Sequence, residues 1–520
     1  MNTLKTFWNK SANKWLCYVL LSIIPFFYLL EKIVCSVYDS DMYFLIATGR
    51  EILQHGIPHT NVWTIDSESG IIVQQWLYDV ILAFVDQFGY IGFSVFVFLE
   101  IILFAFIWVR FFALKHISPI ISLPILIMVS MPTQYYLFSV RPQVITMILL
   151  LSSCIALEKF AATGEKRHLV LLVLYAFLEM QVHASMWFLH FAIILAYMVP
   201  AFYFKPLFKD FADNAMYRQW QSLLVTIICM FGVLFINPYG VDGVFYIIKT
   251  FKAHTFAYVN VVEVSMTEFL SQQGAVVILC LVLFLIAMKL KHLTSVDVNI
   301  TAGFCLMMML AIRNNTCSIF VFAFLMRSVA LSIEEHKNKF DLSKDFKYYL
   351  VPILLFADLI FVTNFLSSAV SVFTDESGME SSLPKIAEEI DSDYSEDMHI
   401  FTGFNCGAYF EYEGFKNLYI DARPEIYTKE FTGNKNILED YSRFCCYGYD
   451  PSKTSLSSIS ASSAVTKDEM DDWFYSYDFD YVIVSTLSEP YLAAYMLDNT
   501  DYQIIEDASD SYYILYRKVE

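Results

Sequence analysis

The chain has 520 residues, of which 57% are hydrophobic and 17% are charged. Soluble domains average about 45–50% apolar and about 25% charged residues, so the composition excludes a wholly water-soluble fold and indicates a membrane protein. The net charge of −19 comes from residues 371–520, where 30 acidic residues outnumber 10 basic ones. This acidity argues against nucleic acid as a partner, because phosphate binding needs clustered Lys and Arg.

Apolar segments long enough to cross about 30 Å of hydrocarbon predict about eleven transmembrane helices. The first is too long for a signal peptide and is interpreted as a retained anchor. The segments lie near residues 15–36, 91–114, 117–138, 143–161, 169–185, 186–204, 220–236, 274–290, 296–312, 316–333 and 349–370.

Basic residues decide the predicted orientation. If the N-terminus is cytoplasmic, every basic cluster falls in a cytoplasmic connection, as the positive-inside rule requires. Eleven crossings then place the C-terminal region outside. We therefore predict a polytopic α-helical protein of the plasma membrane, with residues 1–370 as a transmembrane module and residues 371–520 as an extracytoplasmic α/β domain.

The first outer loop, residues 37–76, is the most informative segment. It begins with two carboxylates, Asp39 and Asp41, and continues with an amphipathic helix over residues 42–54 that is expected to lie in the membrane interface. Either carboxylate could act as a general base, or the pair could bind a divalent cation such as Mg or Mn. Two solvated loop aspartates are the alternative.

Six further polar residues fall at the predicted outer ends of the helices. A bilayer disfavours such groups unless they line a hydrated cavity or pair with one another, so together they predict a site for substrate or phosphate. Taken singly, the two arginines equally suit lipid-headgroup anchors, the histidine suits packing, and the asparagine suits a turn. The six residues are Gln75, Arg141, His183, Asn237, Glu263 and Arg313.

Alternating strands and helices in the C-terminal region predict a parallel or mixed sheet with helices packed on it. Asp421 and Arg423 end the second predicted strand, where ligands bind in open α/β sheets, although an internal salt bridge or a contact with the membrane module explains them equally well. One disulfide from Cys406 to Cys445 or Cys446 is possible outside the cell. Strands are predicted near residues 399–401, 418–420, 481–484, 502–505 and 512–516, and helices near 406–412, 468–475 and 491–497.

Eight short motifs succeed one another along nearly the whole chain. They are the stretch Asp39-Ser40-Asp41 to Arg50, Gly56-Ile57-Pro58, Gln75-Trp76-Leu77, Arg141-Pro142, Val182-His183-Ala184, Asn237-Pro238-Tyr239-Gly240, Arg313-Asn314, and Tyr419-Ile420-Asp421-Ala422-Arg423. In this order the motifs resemble the GT-C class of membrane glycosyltransferases, and more narrowly a poorly characterised bacterial group of that architecture.

The resemblance implies transfer of a sugar from a polyprenyl-phosphate carrier to a glycan or lipid-linked acceptor on the outer membrane face. Asp39 or Asp41 would take the proton of the acceptor hydroxyl, and Arg141 or Arg313 would stabilise the leaving phosphate. Two other functions stay open. The chain could be a non-catalytic member of a surface-polymer assembly machine, or a lipid or polysaccharide transporter, although the internal repeats typical of transporters are not evident.

Overall fold

Helices form most of the structure, and a small sheet lies near the C-terminus. The computed structural model describes residues 40–65, 70–130, 140–203, 218–257, 272–290, 292–310, 312–336, 382–432, 435–447 and 465–519. The predicted helices 15–36 and 349–370 lie outside the described residues. The boundary predicted near residue 370 also lies outside them, so the division into two domains stays a prediction.

The part of the chain before residue 337 is helical wherever a described segment was predicted to cross the membrane. The described residues before 337 also contain two helices that were not predicted, α2 and α9. The helices are α1 (Ser40–His55), α2 (Trp76–Asp86), α3 (Gly89–Ala113), α4 (Pro119–Ser130), α5 (Gln143–Thr163), α6 (Arg167–Val182), α7 (Phe188–Tyr203), α8 (Trp220–Val233), α9 (Val241–Ala257), α10 (Gln272–Leu290), α11 (Ser295–Leu310) and α12 (Ser318–His336).

Three helical segments among the described residues are long and apolar enough to cross a membrane: α3, α5 and Asn314–Ser332, which includes most of α12. Helix α3 exposes large apolar side chains, including Ile91 at 74% and Phe106 at 57%, as expected for a helix that faces lipid. Helix α5 ends at Gly164, whose φ of 72° suits the left-handed residue that closes many helices. The other apolar helices are shorter, so the number of membrane crossings and the orientation of the chain stay predictions.

The C-terminal sheet is mixed and has the strand order β1-β2-β4-β3. Strand β1 runs parallel to β2, whereas β4 runs antiparallel to both β2 and β3. The prediction of a parallel or mixed sheet is therefore confirmed. The strands are β1 (Ile400–Phe401), β2 (Tyr481–Ser485), β3 (Tyr502–Ile504) and β4 (Tyr513–Lys518), and the longer accompanying helices are α13 (Leu383–Asp391), α14 (Gly407–Glu413), α15 (Lys467–Tyr475) and α16 (Pro490–Asp498).

The predicted strand at residues 418–420 forms only isolated bridges, but these bridges connect two regions of the chain. On one side Leu418 pairs with Ile400 at the edge of β1. On the other side its N–H donates to the carbonyl of Trp63 at 3.0 Å, and its carbonyl accepts from Ile65 N–H at 2.9 Å. Residues 63–65 of the first outer loop thus extend the edge of the C-terminal sheet.

One apolar core joins the first outer loop to the C-terminal region. It contains Met42 and Ile46 from α1, Tyr78 from α2, and Phe410 and Leu515 from the C-terminal region, all nearly inaccessible to solvent. Burial of large apolar side chains is the main favourable term in such packing. The C-terminal region is therefore packed firmly on α1 and α2.

Polar contacts strengthen the same interface. Arg50 of α1 forms an ion pair with Asp86 of α2 at 2.5 Å and donates to the carbonyl of Tyr412 at 2.8 Å. Its guanidinium also lies 4.3 Å from the centre of the Tyr412 ring. The three cysteines considered for a disulfide, Cys406, Cys445 and Cys446, are all free and buried.

Candidate functional site

Two residues predicted separately as base and phosphate ligand contact each other. Asp41 lies in the first turn of α1, and Arg141 lies two residues before α5. Nη1 of Arg141 is 2.9 Å from a carboxylate oxygen of Asp41, and the side chains are 9% and 29% exposed. A partly exposed carboxylate beside a buried cation is an arrangement that can hold an anion or exchange a proton.

Three of the predicted site residues cannot be placed in this arrangement. Asp39 and Glu263 lie outside the described residues. Arg313 lies in a 3₁₀ turn, Ile312–Cys317, and its side chain is outside the described set. No group of three or more His, Cys, Asp or Glu residues that could hold a metal ion occurs in the described part of the chain. A cation held by Asp39 and Asp41 therefore stays a prediction.

His183 belongs to a chain of buried polar side chains that the sequence did not reveal. It follows α6, and its Nδ1 lies 2.8 Å from Thr146 Oγ1, which donates to Glu179 at 2.6 Å. Because a hydroxyl can donate one hydrogen bond and accept another, Thr146 can contact Glu179 and His183 at the same time. The other oxygen of Glu179 lies 3.4 Å from Nε2 of His190, whose Nδ1 is 3.0 Å from Ser153.

This buried chain begins in the first turn of α5, just after the ion pair in sequence. Thr146 lies five residues after Arg141. Glu179 and Thr146 are completely buried, and His190 is nearly so. Buried polar groups of this kind are costly unless they are mutually hydrogen-bonded, as these are. The chain can orient His183 and can pass a proton between its members.

Gln75 lies at the junction between the outer loop and α2, where it precedes the first helical residue, Trp76. The junction is fastened to two other elements. The carbonyl of Gln74 accepts from Ala184 N–H at 3.0 Å, and the indole N–H of Trp76 donates to Gln181 at 3.2 Å. The amide of Gln181 donates in turn to the carbonyl of Ile236 at 2.8 Å. Gln75 and the end of α6 are thus held at the same end of the bundle.

Asn237 uses its side chain within its own turn. Its amide donates to the carbonyls of Leu234 and Gly240 at 2.7 and 2.9 Å, and its oxygen accepts from Tyr239 N–H at 2.8 Å. Tyr239 makes the contact with the outer loop, because its hydroxyl donates to the carbonyl of Pro58 at 2.8 Å. Asn237 therefore shapes the turn that presents Tyr239.

Two contacts were considered for Asp421 and Arg423, an internal salt bridge and a contact with the membrane module, and the structure contains both. Arg423 pairs with Asp421 and, at 2.5 Å, with Glu411, and all three side chains are buried. Its guanidinium also faces the rings of Trp63, at 4.7 Å, and Phe44, at 5.6 Å. Phe44 lies three residues after Asp41, so α1 carries both charged clusters about one turn apart on one side.

Two acids share one guanidinium in this cluster. Burial raises the pKa of Glu411 well above its usual range, more than Arg423 lowers it. Burial also acts to raise the pKa of Asp421, but Arg423 and hydrogen bonds to the carboxylate hold this pKa below its ordinary value. The single guanidinium of Arg423 therefore stabilises the charged form of Asp421 more than that of Glu411.

Asp79 is a buried acid that sequence analysis missed. It lies in α2, and neither of its carboxylate oxygens has a hydrogen-bond partner among the described residues. Burial raises its pKa well above the usual range, and the positive charge of Arg423 opposes this rise. The only sequence signal was a single Asp in an otherwise apolar stretch, which is also compatible with an ordinary helix end.

Neither a protein-family model nor a curated protein sequence matches this chain. The assignment of function therefore depends on the residues and contacts described above.

Proposed function

We propose that this chain is a membrane glycosyltransferase that moves a sugar from a polyprenyl-phosphate carrier to an acceptor on the outer membrane face during cell-surface glycan assembly. The ion pair between Asp41 and Arg141 is the observation that carries the proposal. It joins the residue type needed to take a proton from a hydroxyl with the residue type that best recognises a phosphate.

The chemistry proceeds by one displacement. A carboxylate, Asp41 or Asp39, takes the proton of the acceptor hydroxyl while its oxygen bonds to the anomeric carbon. The bond from that carbon to the carrier phosphate breaks, and the phosphate leaves with the electron pair. A single displacement inverts the anomeric configuration.

Arg141 has two roles in this mechanism. Without donor, it neutralises Asp41 at 2.9 Å. When the carrier phosphate binds, the guanidinium can form hydrogen bonds to it instead, because a planar guanidinium binds phosphate in a bidentate manner. This exchange leaves the carboxylate without its cation, which makes it a better proton acceptor.

The test is turnover by the full-length protein in nanodiscs. A panel of polyprenyl-phosphate sugars is offered with candidate acceptors, and release of carrier phosphate is measured with and without chelator. We expect Asp41→Asn or Asp39→Asn to lower turnover about 10²–10⁴-fold, the usual contribution of a general base. Arg141→Gln should weaken donor binding as well as turnover. A fall with chelator would indicate a divalent cation, whereas a chelator-resistant rate would indicate simple base catalysis.

The matched control is Asp242→Asn. Asp242 also occupies the first turn of a helix, α9, and is exposed. It should leave turnover unchanged. Release that persists in the variants of Asp39, Asp41 and Arg141 would overturn the proposal.

A non-catalytic role in surface-polymer assembly is the second candidate. It is favoured by the pairing of Asp41 with Arg141 and of Asp421 with Arg423, since paired charges can simply stabilise a fold. Cells that tolerate both Asp39→Asn and Asp41→Asn, with a purified protein that releases no carrier, would support this role.

A further inference from the structure

A groove on the C-terminal region lies apart from the cluster around Asp41 and Arg423. It has a volume of about 410 Å³ and is formed between α15, α16 and the turn that follows α16. Apolar side chains form part of its wall, but its most frequent members are tyrosines and carboxylates. These members are Tyr475, Tyr491, Tyr495, Asp471, Asp498 and Asp501.

Hydrogen bonds hold two of the tyrosine rings in place. The hydroxyl of Tyr495 donates to Asp471 at 2.7 Å, and the hydroxyl of Tyr475 donates to Asp501 at 2.8 Å. Behind the groove, the buried Phe474 packs edge-on against Tyr495 at 5.3 Å. Fixed rings lose little conformational freedom when a ligand packs on them. The groove is therefore preorganised.

The chemistry of the groove selects one class of ligand. Flat aromatic rings offer apolar surface, while neighbouring carboxylate and amide groups accept and donate hydrogen bonds, a combination that suits the apolar faces and hydroxyl rims of sugars. Asp471, Asp498 and Asp501 outnumber the single cation, Lys467, so an anionic ligand would be repelled. Neutral sugars meet both conditions.

We propose that this groove binds the neutral glycan acceptor, and so holds the growing saccharide away from the membrane. The inference rests on the proposed transferase function for the identity of the ligand as acceptor. Its binding test, however, does not require turnover.

The experiment measures binding of neutral hexasaccharides to the full-length protein in nanodiscs by saturation-transfer NMR and calorimetry. The probes are maltohexaose, cellohexaose and N-acetylchitohexaose, with a galacturonate hexamer as the anionic counterpart. We expect at least one neutral probe to bind and the anionic one to fail. Tyr491→Ala and Tyr475→Ala should each weaken binding about tenfold, whereas Tyr491→Phe should retain it.

The control is Tyr512→Ala, which removes another exposed tyrosine of the same region outside the groove. In a turnover assay, Tyr491→Ala should raise KM for the acceptor and leave donor binding unchanged. Failure of all neutral probes to bind, or equal binding by Tyr491→Ala, Tyr475→Ala and wild type, would overturn the groove proposal. Binding without any turnover would support glycan binding by the groove and contradict the proposed transferase function.

Discussion

The guanidinium of Arg423 lies 4.7 Å from the centre of the Trp63 ring, so a cation from the C-terminal region covers an aromatic side chain of the first outer loop. The same cation pairs with Asp421 in a buried position. Removing it by Arg423→Ala would leave the Asp421 carboxylate buried and uncompensated. We expect the free energy of unfolding to fall by about 3–5 kcal/mol, measured by chemical or thermal unfolding of the purified protein.

A surface ion pair supplies the control for this prediction. Arg443 pairs with Glu469 at 2.7 Å, but the side chains are 41% and 45% exposed. Arg443→Ala should cost at most about 1 kcal/mol. Equal losses for the two variants would mean that Arg423 contributes no more than a solvated pair.

Gly49 permits the close approach of α1 and α2. A Cβ atom at this position would lie 2.0 Å from the carbonyl oxygen of Asp79 and 2.9 Å from Cβ of Ala83. Since backbone cannot turn aside as a flexible side chain can, Gly49→Ala should push the helices apart and cost about 1–3 kcal/mol in unfolding free energy. Gly232→Ala is the matched control, because a Cβ there meets nothing within 4 Å. It should stabilise α8 by up to about 1 kcal/mol.

Asp79→Asn should make the protein more stable near neutral pH. Burial raises the pKa of Asp79, so the folded state keeps a proton that the unfolded state loses, and wild-type stability falls as pH rises above the ordinary aspartate pKa. Asn does not titrate, and its advantage over wild type in thermal unfolding should grow as the pH rises above the ordinary aspartate pKa. An advantage of wild type that grows with pH would show that the carboxylate is ionised and paired. The exposed Asp242→Asn should change stability by less than about 0.5 kcal/mol.

Glu489 should give the C-terminal region a second pH dependence. Burial raises its pKa to about 7, although hydrogen bonds from Tyr441 O–H and Ser485 N–H oppose the rise. The folded state therefore holds a proton that the unfolded state releases above pH 4.5, and stability should decline by at most about 1.4 kcal/mol per pH unit until pH 7, then level off.

Glu489→Gln tests this decline. Gln has one acceptor oxygen and one donor group, as the protonated carboxyl does, so the variant should stay within about 1 kcal/mol of the wild type at low pH. Its own stability should then change less between pH 5 and pH 7. A variant with the wild-type pH profile would assign the dependence to other groups.

Several elements followed from the sequence alone because their signals are local. The amphipathic pattern predicted a helix over residues 42–54, and α1 spans Ser40–His55. The alternation of strands and helices in the C-terminal region likewise predicted all four strands of the sheet described there, and a fifth at residues 418–420 that forms only isolated bridges. Helix α2 was missed because its apolar residues directly precede the longer apolar run of α3, and only Gln87 and Phe88 separate the two helices.

Contacts between residues far apart in the chain could not be predicted from the sequence. Asp41 and Arg141 were each predicted as site residues, but their contact depends on how α1 packs against the start of α5. Asp79 is buried because α1 packs against α2 and the C-terminal region covers both, which no local pattern reveals. The same reason explains why Thr146, Glu179 and His190 were not recognised as one buried network.

The edge of the C-terminal sheet has a consequence for the order of synthesis. Residues 63–65, which pair with Leu418, leave the ribosome long before the strands they complete. The segment that completes the sheet edge is therefore already synthesised when the C-terminal region emerges. A fragment that begins at residue 382 would lack this segment and carry an open sheet edge, to which other copies can add a strand. We expect such a fragment to self-associate, whereas the intact chain supplies its own partner.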